Sequence, residues 1–246
     1  MVAIAETWIS SNVLLLKLLH RIEWDIQGLE GLHRAQSYFV VSNHQSWVDI
    51  VVLQTVFNRR IPFMRFFVKQ EMIRIPFLGA AWWALDFPFM KRFSKKYLEQ
   101  HPEMRGQDLE TTRRACAKFA GCSISVLNFL EGTRFTKVKH QQLNSPYQKL
   151  LPPKAGGLAA TLDAMGNQFD AMIDVTIFYP GGAPTIWGLL SGTIKQVVVR
   201  VRCLPLAPDL LAGQYQDDPA FRSHLHKWVA ELWQRKDQTL VELDPR

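Results

Sequence analysis

Short apolar runs alternate with helix-like segments along most of the chain, and this alternation constrains the fold more than any other feature. Runs rich in β-branched and aromatic residues predict strands, whereas longer apolar stretches with one polar side predict helices. Strands that alternate with helices indicate a single α/β domain. The predicted strands are YFVVSN (38–43), a strand and turn in IPFMRFFVKQEM (61–72), DFPFMKR (86–92), SISVLNFL (123–130), AMIDVTIFY (171–179) and IKQVVVRVRCLPL (194–206).

The helical segments fall between and after these strands. Helices are predicted over 47–57, 75–85, 156–166 and 219–240, and a loop followed by a long helix is predicted over 94–120. Residues 194–206 alternate Val with Arg or Gln, a pattern that predicts a half-exposed edge strand. A chain of 246 residues with 48% hydrophobic residues is large enough to bury one substantial core.

The first 27 residues read as an N-terminal helical segment, and residues 28–246 as the domain itself. Apolar residues dominate this segment, with Trp8 and Trp24 near its ends and basic residues interspersed. That composition suits a helix lying in a membrane interface and suits equally an amphipathic helix packed on the domain. No run reaches the roughly 20 apolar residues that a membrane-spanning helix needs, and no signal peptide is recognisable. A spanning segment that precedes Met1 in a longer chain stays possible.

Charge and cysteine content narrow the function classes. The formal net charge of +7 and the pI near 9.4 favour an anionic partner: nucleic acid, a membrane surface or a small phosphate-bearing substrate. The cations are dispersed and no nucleic-acid motif is present, which argues against nucleic acid. Three cysteines without CxxC spacing suggest buried small side chains rather than disulfides or a metal site. His224 and His226 lie two apart on a predicted helix and face different directions, so no metal site is expected there either.

His44 and Asp49, in SNHQSWVDIVVL (42–53), are the first candidates for chemistry. Residues five apart share neither a helix face nor a strand face, so the pair has to straddle a bend. A strand ending at Val41, a turn and a helix from about residue 45 would let Asp49 reach back to His44. The carboxylate would then fix the imidazole tautomer and leave the other nitrogen free as a base. In the alternative interpretation, Ser42 or Asn43 caps the helix, Asp49 faces water and His44 is an ordinary loop residue.

A second group follows the predicted strand at 123–130. Glu131, Gly132, Thr133 and Arg134 come where ligands usually sit in α/β sheets. Glycine permits a tight turn with exposed amides, and arginine offers a planar fork for phosphate. The segment FPFMKR also ends in two cations, Lys91 and Arg92. Each group alone is equally compatible with ordinary turn chemistry.

Together these residues resemble the glycerophospholipid acyltransferases of the 1-acylglycerol-3-phosphate (PlsC/AGPAT) type. NHQSWVD matches the Asn-His-x4-Asp motif, FPFMKR a second motif ending at Arg92, and EGTR the Glu-Gly-Thr/Ser-Arg motif. VKQEMIRIPFLG resembles a Lys-x-Glu-x4-Pro-x-x-Gly block, and LLPPKAGGLAATLDAM followed by IDVTIFYP resembles the fourth region. The PPK residues and the long insert at 93–114 resemble most the lysocardiolipin-acyltransferase-like branch and bacterial probable acyltransferases. Asp174, Val175 and Thr176 replace the usual Val-Pro-Val.

The resemblance implies a mixed sheet flanked by helices and a direct acyl transfer. His44, oriented by Asp49, would deprotonate the sn-2 hydroxyl of a lysophospholipid, most simply lysophosphatidic acid, which then attacks the thioester of acyl-CoA or an acyl carrier protein. No cofactor or metal is implied. The residues expected to bind the acceptor phosphate are Arg92 and Arg134. Glu131 would orient Arg134 or a glycerol hydroxyl, and Gly132 and Thr133 belong to the same turn, where amides near Gly132 would help to position the head group. Lys69 and Lys154 are the candidates for the donor phosphates.

The resemblance also implies association with a membrane surface, on its cytoplasmic face and at the inner membrane if the source is bacterial. A different acceptor head group and a catalytically silent membrane-bound scaffold are the two alternatives for function.

Overall fold

The computed structural model describes residues 1–90, 114, 116–119, 121–213 and 215–244, without the side chains of Lys69 and Met90. The predictions for Lys91, Arg92 and most of 94–120 lie outside this range. The strands are β1 Glu23–Gln27, β2 Tyr38–Ser42, β3 Met64–Phe66, β4 Val68–Lys69, β5 Phe89–Met90, β6 Ser125–Phe129, β7 Ala171–Phe178 and β8 Gln196–Leu204. The helices are α1 Val2–Leu19, α2 Val48–Phe57, α3 Leu78–Ala84, α4 Lys137–Gln142, α5 Ala155–Met165, α6 Ile186–Leu190 and α7 Pro219–Leu243.

Six strands form one mixed sheet in the order β1-β8-β7-β2-β6-β3, and β4 and β5 form a separate parallel pair. The strands β7, β2, β6 and β3 run parallel, whereas β7 and β8 are antiparallel and β1 is parallel to β8. Because β2, β6 and β7 are neighbours that point the same way, their carboxyl ends meet at one edge of the sheet. The mixed α/β architecture predicted for the chain is confirmed.

Helices cover both faces of the sheet because its central strands are apolar on both sides. In β2, Phe39 and Val41 face the core formed with α5 and α7. Tyr38 and Val40 face the opposite core, which is formed with α2. Every residue of β2 is buried, as expected for a parallel strand inside a layered α/β fold.

Two predictions about the strands are wrong. Residues 23–27, included in the helical N-terminal segment, form the edge strand β1. β8 is therefore an inner strand, paired on both sides. Its alternating arginines do not face open solvent: Arg200 binds Asp25 of β1 at 2.7 Å and Arg202 binds Asp174 of β7. The arginines that alternate with valines in β8 thus pair with acids on the neighbouring strands, and the local pattern does not reveal which strands are neighbours.

Asp174 also anchors the last helix. Lys236 of α7 has no exposed surface and places its ammonium 2.6 Å from Oδ1 of Asp174. The same ammonium donates to the carbonyl of Val175 and lies 3.3 Å from the Thr176 hydroxyl. A buried charge is strongly unfavourable unless it is paired, so Asp174 and Lys236 depend on each other. Asp174, in the fourth motif, thus joins β7 to β8 and to α7.

α1 packs along the domain by one face and exposes the other. Glu6 and Ile9 are buried, Arg34 binds Glu6 at 2.7 Å, and Asn58 donates to the Ser10 hydroxyl at 2.9 Å. The outward face is apolar and exposed, and consists of Ile4, Trp8, Leu14, Leu15, Leu18 and Leu19. α1 is long and apolar enough to cross a membrane by length and composition, contrary to the expectation that no segment here is. The three cysteines are free as expected, but Cys122 and Cys203 are exposed and only Cys116 is buried.

Candidate active site

The carboxyl ends of three adjacent parallel strands build the candidate site. β2 leads into His44, β6 into Glu131 and β7 into Tyr179. Residues far apart in sequence meet here because the strands are in parallel register. This edge is where α/β sheets usually bind ligands.

Asn43 fixes the turn that follows β2. Its side-chain amide accepts from the backbone N–H of Ile177 at 2.8 Å and donates to the carbonyl of the same residue at 2.9 Å. Asn43 has no exposed surface, so these bonds satisfy an amide that would be costly to bury alone. The two bonds hold the His44 turn to the end of β7.

The predicted contact between His44 and Asp49 is present. Nδ1 of His44 lies 2.9 Å from Oδ2 of Asp49. A carboxylate only accepts, so Nδ1 carries the proton and Nε2 is the acceptor nitrogen. The imidazole stacks on Phe129, with ring centroids 4.0 Å apart and planes 16° apart. This stacking and the Asp49 bond together set the plane of the ring.

Asp49 is fully buried, in the first turn of α2. Besides the imidazole, Oδ2 accepts from the backbone N–H groups of Gln45 at 2.6 Å and Ser46 at 2.8 Å. The interpretation in which Asp49 faces water and Asn43 caps the helix is therefore wrong. α2 begins at Val48, slightly later than predicted, because residues 45–47 bend around the carboxylate.

The Glu131 carboxylate holds the backbone of the His44 turn instead of orienting Arg134. Its carboxylate accepts from the backbone N–H of His44 at 2.8 Å and of Leu151 at 3.1 Å, and only 1% of the residue is exposed. Burial raises the pKa of this carboxyl from 4.5 to about 7, although the two backbone donors and the charge of Lys236 act in the opposite direction. Glu131 thus links the turns after β2 and β6 to the chain near residue 151.

Arg134 is exposed beside the site, and its guanidinium lies 5.1 Å from the ring centroid of Trp47. A guanidinium over an indole face is attracted by the ring and held in orientation. Trp47 precedes α2 and is itself 53% exposed. The predicted cation therefore faces outward within reach of an incoming anion, on the rim of the site that holds His44.

The Gly132 turn brings two further lysines to this rim. Gly132 has a φ of +66°, and a side chain there would come within 3.1 Å of Cδ of Lys154. The positive φ favours glycine at this position. Lys139 donates to the Thr133 hydroxyl at 2.7 Å and to the carbonyl of Arg134 at 3.1 Å. Lys154 thus lies beside this turn, and its role near the donor phosphates stays a prediction; Lys139 is a neighbour that the sequence reading missed.

The other predicted cations are not located. Arg92 lies outside the described residues, and for Lys69 the structure gives only the backbone, in β4 paired with β5. Among the described residues no group of three or more His, Cys, Asp or Glu could hold a metal. A cleft of about 620 Å³ opens beside the site, and its walls include Gln45, Phe135 and Tyr179.

Tyr179 is a site residue that sequence reasoning missed. It is 3% exposed, and its hydroxyl donates to Oδ1 of Asp49 at 2.7 Å. The signal available in the sequence was its position directly after a buried strand that runs beside β2. Without the strand order, that position could not be connected with Asp49.

Comparison with known proteins identifies the relatives. The family model described as Acyltransferase matches residues 23–180. The chain is 27% identical over 209 residues to the 1-acyl-sn-glycerol-3-phosphate acyltransferase gamma of Mus musculus, covering 80% of this chain and 51% of that protein. It is 26% identical over 213 residues to the delta enzyme of Homo sapiens, covering 82% and 52%. The chain thus spans about half the length of these curated relatives.

The fold also matches a solved structure. The crystal structure of PlsC, the 1-acyl-sn-glycerophosphate acyltransferase from Thermotoga maritima, aligns with a TM-score of 0.55 and 18% identity, covering all of this chain and 80% of that one. At this identity the match establishes a shared fold.

The raised pKa of Glu131 predicts a pH-dependent stability. Because the folded pKa of about 7 exceeds the ordinary 4.5, the contribution of Glu131 is complete below the ordinary value and is lost as pH rises through about 7. The shift corresponds to about 3 kcal/mol. In Glu131→Gln, the fall in unfolding free energy across this window should be smaller by about that amount.

Chemical denaturation at a series of pH values measures this difference. Glu23→Gln, at an exposed position of β1, serves as the control and should retain the wild-type slope. An unchanged slope in Glu131→Gln would contradict the assignment.

Proposed function

We propose, from the premise that this chain belongs to the Acyltransferase family, that it transfers a fatty acyl group to the free hydroxyl of a lysophospholipid. The family match covers residues 23–180, which include His44, Asp49, the Glu131–Arg134 turn and Tyr179. The observation that carries the proposal is the His44–Asp49 pair at the carboxyl edge of the sheet. The buried Asp49 carboxylate holds Nδ1 of the imidazole, and within the described part of the chain no residue is recorded as a partner of Nε2.

In the proposed reaction, Nε2 of His44 removes the proton from the acceptor hydroxyl as its oxygen attacks the thioester carbonyl. The resulting tetrahedral intermediate expels the thiolate of the donor, which recovers the proton from His44. The Asp49 carboxylate stabilises the imidazolium between these steps. No group on the protein becomes acylated, so His44 needs only to hold and return one proton.

The acceptor that fits best is lysophosphatidic acid, which would give phosphatidic acid. Arg134 is exposed on the rim, over Trp47, and its planar guanidinium suits a phosphate monoester. The backbone N–H groups that follow Gly132 would help to position the head group; that of Gly132 itself donates to the Phe129 carbonyl at 2.9 Å. Arg92 is a further proposed ligand of this phosphate. The curated relatives carry the name 1-acyl-sn-glycerol-3-phosphate acyltransferase, which supports the same acceptor.

The donor is proposed to be acyl-CoA or an acyl carrier protein, with Lys69 and Lys154 as candidates for its phosphates. If the acceptor carries another head group, the His44–Asp49 base would act in the same way, and Arg134 would meet that different head group. A catalytically silent scaffold would keep the fold without turnover. Product analysis by mass spectrometry, with a panel of lysophospholipids and both donors, separates these alternatives.

A membrane surface is the proposed location, because the proposed acceptor is a lipid and α1 presents an exposed apolar face. Ile4, Trp8 and Leu18 are each more than 60% exposed. The inner face of α1 is held to the domain by Arg34 and Asn58, so α1 would lie in the interface with its outer face in the lipid. We propose the cytoplasmic face, where anionic lipids would attract the net charge of +7.

His44→Ala should lower kcat for acyl transfer by about 100-fold or more, because a positioned general base contributes roughly 10²–10⁴. The assay uses purified protein in mixed micelles with lysophosphatidic acid and acyl-CoA. His33→Ala, at an exposed loop position, is the matched control and should retain wild-type turnover. Wild-type turnover in His44→Ala would rule out the base; absence of product from the wild type with every acceptor and donor would favour the silent scaffold.

Arg134→Ala should raise KM for lysophosphatidic acid by about 10-fold or more, since a hydrogen bond to a charged group is worth about 1.5–3 kcal/mol. Monoacylglycerol, which lacks phosphate, should show little change. Arg134→Lys should be intermediate, because it keeps the charge and loses the planar fork. Arg60→Ala, at an exposed position after α2, is the control. An equal loss with both acceptors would contradict phosphate binding.

Leu15→Asp combined with Leu18→Asp should reduce flotation of the protein with anionic vesicles, because both changes put charge on the outer face of α1. Ser223→Asp with Gln234→Asp adds the same charge to exposed positions of α7 and should leave flotation near the wild-type level. Circular dichroism verifies the fold of each variant. Equal flotation of the two double variants would argue against α1 as the lipid contact.

A further inference from the structure

The two carboxylate oxygens of Asp49 are supported very differently. Oδ2 accepts from Nδ1 of His44 and from the backbone N–H groups of Gln45 and Ser46. Within the described part of the chain, the hydroxyl of Tyr179 is the donor recorded for Oδ1, at 2.7 Å. Asp49 is fully buried, so water does not take the place of that donor. One side of the carboxylate therefore depends on a single phenol.

Tyr179 keeps its hydroxyl proton and so remains a hydrogen-bond donor. It is buried directly after β7, and burial together with the adjacent Asp49 charge raises its pKa well above 10. The hydroxyl is consequently protonated throughout the range in which an imidazole titrates. Its position is fixed from the backbone, because the Asn43 amide holds Ile177, two residues earlier, to the turn that carries His44.

The bond from Tyr179 completes the restraint on the carboxylate plane. The two oxygens turn together about the bond between Cβ and Cγ, so the donors on Oδ2 and the phenol on Oδ1 restrain the same rotation from opposite sides. A hydrogen bond to an ionised group is strong and directional. The phenol also draws negative charge toward Oδ1, which tempers the field that the imidazole feels from Oδ2.

We propose that Tyr179 is a positioning residue for the His44–Asp49 pair: its hydroxyl holds Oδ1 so that Oδ2 stays aimed at Nδ1 of His44. The role rests on the proposed use of His44 as the base and extends it, since it makes proton removal depend on strand β7. Tyr179 acts through Asp49 and does not act on the reacting atoms.

Among the residues that the structure describes, the charged and titratable groups bonded to His44 or to its Asp49 partner come from three parts of the fold. Asp49 belongs to α2, Glu131 follows β6 and accepts from the His44 backbone N–H, and Tyr179 follows β7. Arg134 lies farther out, over Trp47. Removing the Tyr179 hydroxyl leaves the other groups in place and removes one donor from Asp49. The uncompensated carboxylate then favours the imidazolium, which moves the acidic limb of activity to higher pH.

Tyr179→Phe tests this, because it removes one oxygen and keeps the ring. We expect kcat to fall about 10-fold, KM for both substrates to stay within about twofold, and the midpoint of the acidic limb to rise by roughly half a pH unit or more. Tyr38→Phe is the matched control: Tyr38 is also buried, and its hydroxyl donates to Gln36 at 2.6 Å, away from Asp49. It should retain kcat and the acidic limb.

Two outcomes overturn the proposal. One is wild-type kcat and an unchanged acidic limb in Tyr179→Phe, and the other is a loss that Tyr38→Phe reproduces. A proton NMR measurement keeps the test independent of turnover: the Nδ1 proton resonance of His44 should move in Tyr179→Phe and stay in Tyr38→Phe. If the wild type transfers no acyl group, the proposed function fails while this resonance still decides whether Tyr179 positions the pair; an unmoved resonance rejects it.

Discussion

The buried carboxylate of Asp49 imposes the tightest constraint on this molecule. A charge without solvent contact has to be met by donors on all sides, and those donors come from different parts of the chain: the imidazole of His44, the amides of the turn after β2 and the phenol beyond β7. The same principle recurs at Glu131, which gathers the backbone N–H groups of His44 and Leu151. Each buried acid therefore joins segments that are distant in sequence.

Asp174 extends this arrangement to the C-terminal part of the chain. It pairs with Arg202 of β8 and with Lys236 of α7, both of which lie beyond residues 23–180, where the family match ends. The charge of Lys236 also lowers the pKa of Glu131, opposing the effect of burial. The last helix thus acts electrostatically on the site, and Leu240 of the same helix lines the cleft beside it. Asp174 stands in the fourth motif where apolar residues are usual, and its buried charge is compensated by Lys236.

The local sequence pattern predicted features that involve only neighbouring residues, and it failed for features that depend on contacts between distant strands. The spacing of His44 and Asp49 predicted their contact because a bend and one helical turn involve only neighbouring residues. Most strands followed from β-branched runs. β1, the inner position of β8 and the bond from Tyr179 to Asp49 all depend on which strands are neighbours, and a single sequence does not encode that locally. Glu131 was predicted to orient Arg134 because the sequence indicates the turn that contains both residues. The burial of Glu131 depends on tertiary packing, which the local pattern does not indicate.

α1 presents apolar residues on both of its faces. On the inward face Ile9 and Val13 pack against the domain, while Glu6 binds Arg34 and Ser10 accepts from Asn58. The outward face exposes Ile4, Trp8, Leu14, Leu15, Leu18 and Leu19. A contiguous apolar surface in water favours association, so we expect copies of the chain to associate through α1 as concentration rises and detergent to suppress that association.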